Sequence, residues 1–131
     1  MSGVGIVRYK LANAAGVTAL VPAARIQAGT MPQNTVLPFI SVTQISSTPL
    51  NQVSKTSGLS VDRVQVTVEA ASYPQVRQIL ALVRAALPYT HATVNGFVCD
   101  SLIPDIEGPD GFDGALMSYF QSQDYFVHWS A

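Results

Sequence analysis

Charged residues are scarce in this sequence. They make up 11% of the 131 residues, although 48% of the chain is apolar, whereas a typical soluble domain carries about 25% charged residues. The segment from Ile26 to Ser54 contains no charge at all. Disordered chains combine low hydrophobicity with high net charge, so this composition indicates a globular protein. We expect such a domain to cover part of its surface with other subunits or partners.

Cysteine and long apolar runs are also missing. Cys99 is the only cysteine, which excludes an internal disulfide and a multi-cysteine metal cluster and fits a reducing compartment. No apolar run approaches the ~18 residues that span a bilayer. The segment MSGVGIVRYK also lacks the basic and apolar blocks of a signal peptide. We therefore expect a soluble protein that is not secreted and has no membrane partner.

The few charges are divided between the two halves of the chain. Residues 1–84 hold all seven Lys and Arg and two acids, and residues 85–131 hold six acids and no Lys or Arg. The net charge of −1 therefore conceals +5 and −6. Such asymmetry predicts contact with a charged partner or between copies of the same chain.

Hydrophobic periodicity predicts one α+β domain over residues 1–131. Helices are expected near the N-terminus, where Val7, Leu11 and Ala14 share a face, and from Ser72 to Pro88. Strands are expected at ARIQA, LPFISVTQIS, VDRVQVTVEA, ATVNGFVCD and SYFQSQDYFVHWS. The order α-β-β-β-α-β-β predicts a mostly antiparallel sheet with two helices packed on one face.

The central strand and the second helix provide the expected core. Ser72 can cap the helix through position 75, and Arg77 and Arg84 fall on the face opposite its apolar residues. We expect these two arginines to be solvated or ion-paired to a neighbour, and not to bind a substrate. The residues predicted to pack against one another are Val64, Val66 and Val68 on the strand and Val76, Ile79, Leu80 and Val83 on the helix.

Two polar segments are candidates for function. Residues Ser46–Ser60 (SSTPLNQVSKTSGLS) are predicted to be a long loop, or an extended hairpin, that forms an arm outside the core. The segment DIEGPDGFDGA is predicted to be a sharp acidic loop carrying Asp105, Glu107, Asp110 and Asp113. It lacks the ligand spacing of a calcium loop, and carboxylates in a solvated loop are poor candidates for acid–base catalysis. We therefore expect no metal there.

No other pattern indicates catalysis or nucleic-acid recognition. His91 and His128 form no metal-ligand motif or catalytic triad, and Cys99 is expected to be a small buried residue. Scattered basic residues and a pI of about 6.0 disfavour a sequence-specific nucleic-acid binder. We expect neither a cofactor nor an enzymatic activity.

The element order and a few short motifs resemble one known family. Arg25-Ile26, Pro32-Gln33 and Pro38-Phe39-Ile40 precede an amphipathic strand, the helix YPQVRQILALVRAAL and a closing aromatic strand. This arrangement resembles the tail-completion, or tail-terminator, proteins of long-tailed bacteriophages over nearly the whole chain. The resemblance implies a virion protein that forms a ring, typically sixfold, at the head-proximal end of the tail tube. It also implies that the ring stops tube growth, contacts the head connector and lets genomic DNA pass without specific binding.

Within that family role, the polar segments acquire specific expectations. The arm is expected to contact a neighbouring subunit or the tail-tube protein, and the acidic loop is expected either to face the channel or to meet the basic half of the next subunit. The interface candidates are Thr48, Leu50, Asn51, Gln52, Lys55, Arg77 and Arg84. The alternatives are another neck or minor tail component and a small cytosolic enzyme or ligand-binding domain.

Overall fold

The described part of the chain forms six strands and three α-helices. The computed structural model describes residues 3–29, 36–51, 56–89, 91–94, 96–115 and 117–130. The helices are α1 (Gly3–Ala12), α2 (Ala15–Thr18) and α3 (Tyr73–Ala86), with a 3-10 turn at Ala23–Arg25. The strands are β1 (Ile26–Ala28), β2 (Phe39–Asn51), β3 (Thr56–Ala70), β4 (Ala92–Val94), β5 (Phe97–Asp113) and β6 (Ser118–Ser130).

All six strands belong to one sheet in the order β1-β2-β3-β6-β5-β4. The short β1 pairs with β2 in parallel, and the other neighbouring strands are antiparallel. The α+β class is therefore confirmed, but the predicted element order needs correction. ATVNGFVCD forms two strands, because the chain reverses near Gly96, whose φ of +83° is a left-handed conformation that glycine adopts without strain.

The prediction of a long loop at Ser46–Ser60 is wrong, and the extended hairpin is what the structure shows. Strand β2 extends to Asn51 and β3 begins at Thr56, with Thr48 opposite Val61 and Leu50 opposite Leu59. Strand β3 also pairs with β6 from Leu59 onwards. Most of the expected arm is therefore part of the sheet. The sequence did not predict these strands, because both faces of β2 are exposed from Thr43 to Pro49 and polar residues therefore occur on both.

The acidic segment is likewise a strand and not a loop. Strand β5 runs to Asp113 and pairs with β6, with register shifts between Pro104 and Glu107 and between Glu107 and Asp110. These bulges accommodate the prolines and glycines that suggested a turn. At two glycines of β5 the side chains of β6 lie very close to the backbone. A Cβ at Gly108 would lie 2.3 Å from Ser122 Oγ, and one at Gly111 would lie 2.5 Å from Phe120 Cζ.

The predicted core is confirmed. The three valines of β3 and the four apolar residues of α3 are all buried and belong to one hydrophobic cluster, together with buried residues of α1 and β6. Ser72 Oγ accepts a hydrogen bond from the backbone N–H of Gln75 at 3.4 Å, as expected for a helix N-cap. The predicted N-terminal helix is also present, as α1 and the single turn α2.

A buried carboxylate fixes the start of α1. Asp62 on β3 is fully buried, and its side chain accepts hydrogen bonds from the N–H of Gly3 (2.7 Å), the hydroxyl of Ser47 (2.5 Å) and Nε1 of Trp129 (2.9 Å). A Cβ at Gly3 would lie 2.9 Å from the Cβ of Asp62, so only glycine fits there. Asp62 therefore caps a helix that has no acid of its own in the first turn.

Candidate functional site: the charged edges of the sheet

The acidic strand β5 is held against α3 by ion pairs. Glu107 receives hydrogen bonds from Arg77 (2.5 Å) and Gln121 (2.8 Å), and it also forms a salt bridge with Arg84. Arg77 donates a further hydrogen bond to Gln121 at 2.8 Å. The two arginines were expected to be solvated or ion-paired to a neighbour, and both form ion pairs with Glu107 of the same chain. Their role as interface residues stays a prediction. Sequence spacing gave no sign of this contact, because 23 to 30 residues separate Glu107 from the two arginines.

A second ion-pair group lies on the other face of the sheet. Arg63, which alternates with the buried valines of β3, contacts Asp124 at 2.8 Å and Asp105 at 3.5 Å. The hydrogen bond that Arg63 donates to Asp124 is the largest cause that raises the pKa of Arg63. The guanidinium also lies 5.8 Å from the centre of the Phe126 ring. The basic and acidic halves of the sequence therefore meet inside one subunit, at least through Arg63, Arg77 and Arg84.

The distal end of β5 carries acids with different partners. Asp110 accepts a hydrogen bond from the Tyr73 hydroxyl at 2.6 Å, and this bond is the main reason that the pKa of Tyr73 is raised. Asp113 Oδ1 accepts the N–H of Ala115 at 3.0 Å. Burial raises the pKa of Glu69, and the charge of Asp113 adds to the increase. The end of β5 therefore brings two carboxylates, Asp110 and Asp113, to one part of the sheet.

The hairpin residues named as interface candidates are only partly described. Thr48 is exposed on β2, and Leu50 and Asn51 occupy the last strand positions, opposite Leu59 and Thr56. Gln52 and Lys55 lie outside the described residues. The interface role of this hairpin stays a prediction.

His91, His128 and Cys99 have different surroundings. His91 Nδ1 lies 2.8 Å from the backbone oxygen of Asp100, at the start of β5. His128 is on β6 opposite Ser101, and its Nδ1 is buried with no protein partner. Cys99 is buried as predicted, and burial raises the pKa of its thiol. The described ranges hold no cluster of three or more His, Cys, Asp or Glu side chains arranged for a metal ion.

Two of the surface cavities formed by the described residues lie near the ends of α1 and α3. The larger, about 480 Å³, lies between α1, α3 and β4 and is lined by Tyr9, Lys10, Asn13, Ala14, Ala86, Ala92, Thr93 and Val94. The smaller, about 200 Å³, has a mainly apolar lining. No histidine or carboxylate lines either cavity, so they do not support the enzyme alternative. In the part of the chain that the structure describes, no helix is long and apolar enough to cross a membrane.

The fold and these surfaces define a small α+β subunit that presents charged sheet edges. The same fold occurs in a solved chain from "Virion of native gene transfer agent (GTA) particle", with a TM-score of 0.79 and 11% sequence identity over 99% of this chain and 96% of that one. The profile of the family described as Tail completion protein gp17 matches residues 6–104. The chain therefore belongs to this family and is a structural protein of the phage virion tail. A search of the curated proteins found no match.

Proposed function

We propose that this protein forms a ring at the head-proximal end of the phage tail tube, where it ends tube growth and joins the tail to the head connector. Membership of the tail completion family carries this proposal. A ring needs subunits with two different contact surfaces, because a head-to-tail contact repeated by rotation closes on itself. The six-stranded sheet has two different edges, β1 with β2 and β4 with β5, which provide such surfaces.

The composition supports a subunit of an assembly. Only 11% of residues are charged, and three of the arginines are already paired within the subunit. Exposed apolar side chains occur on β2 and β5, including Ile45 on β2 and Ile103 and Ile106 on β5. A subunit with few free charges and exposed apolar groups gains stability when neighbours cover its sides.

A loss-of-function experiment tests the role at the tail end. Phage that lack this gene should produce overlong tail tubes, or tails that are not attached to heads, in electron micrographs. Supplying the wild-type chain in trans should restore tails of normal length that are joined to heads. Tails of normal length, attached to heads in the absence of the protein, would contradict the proposal.

The tip of the β2–β3 hairpin is proposed to contact the tail tube or a neighbouring subunit. Because β3 is paired with β6 from Leu59 onwards and Asn51 faces Thr56 across the hairpin, a test should replace only residues 52–55 with the two-residue turn Asn-Gly and leave the paired strands intact. The shortened chain should melt cooperatively near the wild-type temperature, since loop-closure entropy changes slowly with length. Particles made with it should fail at tail completion. Normal infectivity would show that the tip has no role in assembly.

The expectation that the acidic segment faces a channel stays a prediction. Ion pairs inside the subunit partly neutralise Glu107 and Asp105, which weakens the repulsion that these groups would exert on passing DNA. Asp110, nearer the end of β5, is exposed and is a candidate for contact with another subunit.

A further inference from the structure

We propose that copies of this chain associate side by side, with the β1 edge of one copy facing the distal β5 edge of the next. Arg8 and Arg25 on the first copy would face Asp110 on the second. This inference rests on the proposed ring, and it specifies which surfaces form the contact between its subunits.

The topology leaves both edges of the sheet largely open. Strand β1 covers β2 only at residues 40–42, and β4 covers β5 only at residues 97–99. In the described part of the chain, no further strand pairs with the outer edges of β2 from Thr43 to Asn51 or of β5 from Asp100 to Asp113. The unpaired N–H and C=O groups at an open sheet edge can pair with another chain. Because these two edges lie on opposite sides of one sheet, a contact between them is heterologous and can close a ring.

The direction of the strands suits such a contact. Going from β2 through β3 and β6 to β5, every step is antiparallel, so β2 and β5 run in opposite directions. When two copies stand side by side in the same orientation, β2 of one and β5 of the next are therefore antiparallel. All copies in a cyclic ring have the same orientation relative to its axis, as this arrangement requires.

The β1 edge carries positive charge that the subunit does not neutralise. Arg8 Nε donates to the carbonyl of Ile26 at 2.9 Å, and Arg25 donates to the carbonyl of Leu37 at 3.1 Å. These acceptors are neutral backbone oxygens. Among the described residues no acid lies within salt-bridge distance of either guanidinium, unlike those of α3 and β3.

The distal β5 edge carries the complementary negative charge, at the same position along the strands as the arginines of the β1 edge. Asp110 is exposed and accepts a hydrogen bond from the neutral Tyr73 hydroxyl. Among the described residues, no Lys or Arg forms an ion pair that would offset its negative charge. Cross-strand pairing places Ile26, Ile40, Val68, Gln121 and Asp110 in a single row across the sheet. Arg25 precedes Ile26 directly, and Arg8 binds the carbonyl of Ile26. Two copies placed side by side therefore bring opposite charges together without a shift along the strands.

Side chains, and not a continuous β-ladder, should form this contact. Pro104 and Pro109 have no N–H to donate, and the bulges between residues 104 and 110 interrupt the regular edge of β5. Prolines, bulges and charges are the features that prevent indiscriminate pairing at sheet edges. Specificity would then come from the matched charges, as it commonly does at polar interfaces.

Charge reversal tests the contact. Arg25→Glu and Asp110→Lys should each weaken association of the purified chain by about tenfold or more, because each places like charges together. Association would be measured by sedimentation and by native mass spectrometry, in solution and with tail tubes present. Mixing the two variants should restore assembly, since each retains one intact edge and the altered edges are complementary. Asp100→Lys, at the other end of β5, is the matched control and should assemble normally.

Folding and function must be separated in this test. Thermal melts check each variant, and Arg25→Gln with Asp110→Asn provides a milder pair if charge reversal unfolds the chain. Rings that persist in every variant would overturn this contact and leave the proposed function intact. Folded variants that fail to recover on mixing would also overturn it. A wild-type chain that forms no ring alone or on tail tubes would overturn the proposed function itself.

Discussion

Replacing Asp62 with alanine should strongly destabilise the subunit. The carboxylate is fully buried and satisfies three donors, from Gly3, Ser47 and Trp129. Each buried donor left without a partner costs about 1–3 kcal/mol, and loss of a negative charge at a helix N-terminus adds about 0.3–2 kcal/mol. Because the Ser47 hydroxyl can rotate towards solvent, we expect a total loss of roughly 3–5 kcal/mol. That is a large share of the ~5–15 kcal/mol that stabilises a typical domain.

Urea denaturation provides the assay, because Trp129 is the only tryptophan and lies at the site. The expected loss corresponds to a decrease in melting temperature of roughly 10–20 °C for a chain of this size. Asp62→Asn should fall between wild type and Asp62→Ala, since it keeps the shape but loses the charge. Asp100→Ala is the matched control, because that side chain is 52% exposed. A loss below about 1 kcal/mol for Asp62→Ala would refute the reasoning that this carboxylate anchors α1.

Three further predictions concern the core, pH and metal ions. Leu80→Ala should cost roughly 2–5 kcal/mol through lost burial and a cavity, whereas Arg77→Ala should cost about 1 kcal/mol or less; equal urea midpoints would contradict this packing. The folded-state pKa of Glu69 is raised, so the folded state holds its proton more tightly and stability from this group declines as pH rises through that pKa. Glu69→Gln should therefore raise the melting temperature at neutral pH and change it little in acid, and the opposite pattern would contradict the sign. Calorimetry and melts with Ca²⁺, Mg²⁺ and Zn²⁺ should show no tight site on the acidic strand β5; a 1:1 site with a large melting shift would contradict this.

The elements that could be read from the sequence are those with one buried and one exposed face. Residues Val64–Val68 alternate on β3, and α3 repeats apolar residues at helical spacing between the Ser72 cap and Pro88. In such segments the period of burial equals the period of the backbone, so the pattern follows directly from the structure. The family resemblance depended on the order of these same elements.

The sequence could not show where β2 continues or that the acidic segment is a strand. From Thr43 to Pro49 both faces of β2 are exposed, so no alternation of polar and apolar residues is imposed. In β5, Pro109 and two glycines resemble a turn sequence, although the bulges and the close side chains of β6 account for them. These strands form because a neighbouring strand completes their backbone hydrogen bonds, and the identity of that neighbour is not local information.

Charge pairing was also decided only by the tertiary structure. The sequence by itself determined that the two halves have opposite charge, but it could not distinguish contact within one subunit from contact between copies. The fold brings Arg77 and Arg84 to Glu107, and it buries Asp62 beneath the first helix, while Arg25 and Asp110 are left on opposite edges. Electrostatic energy depends on distance and burial, and both are set by the packing of elements that are far apart in the chain.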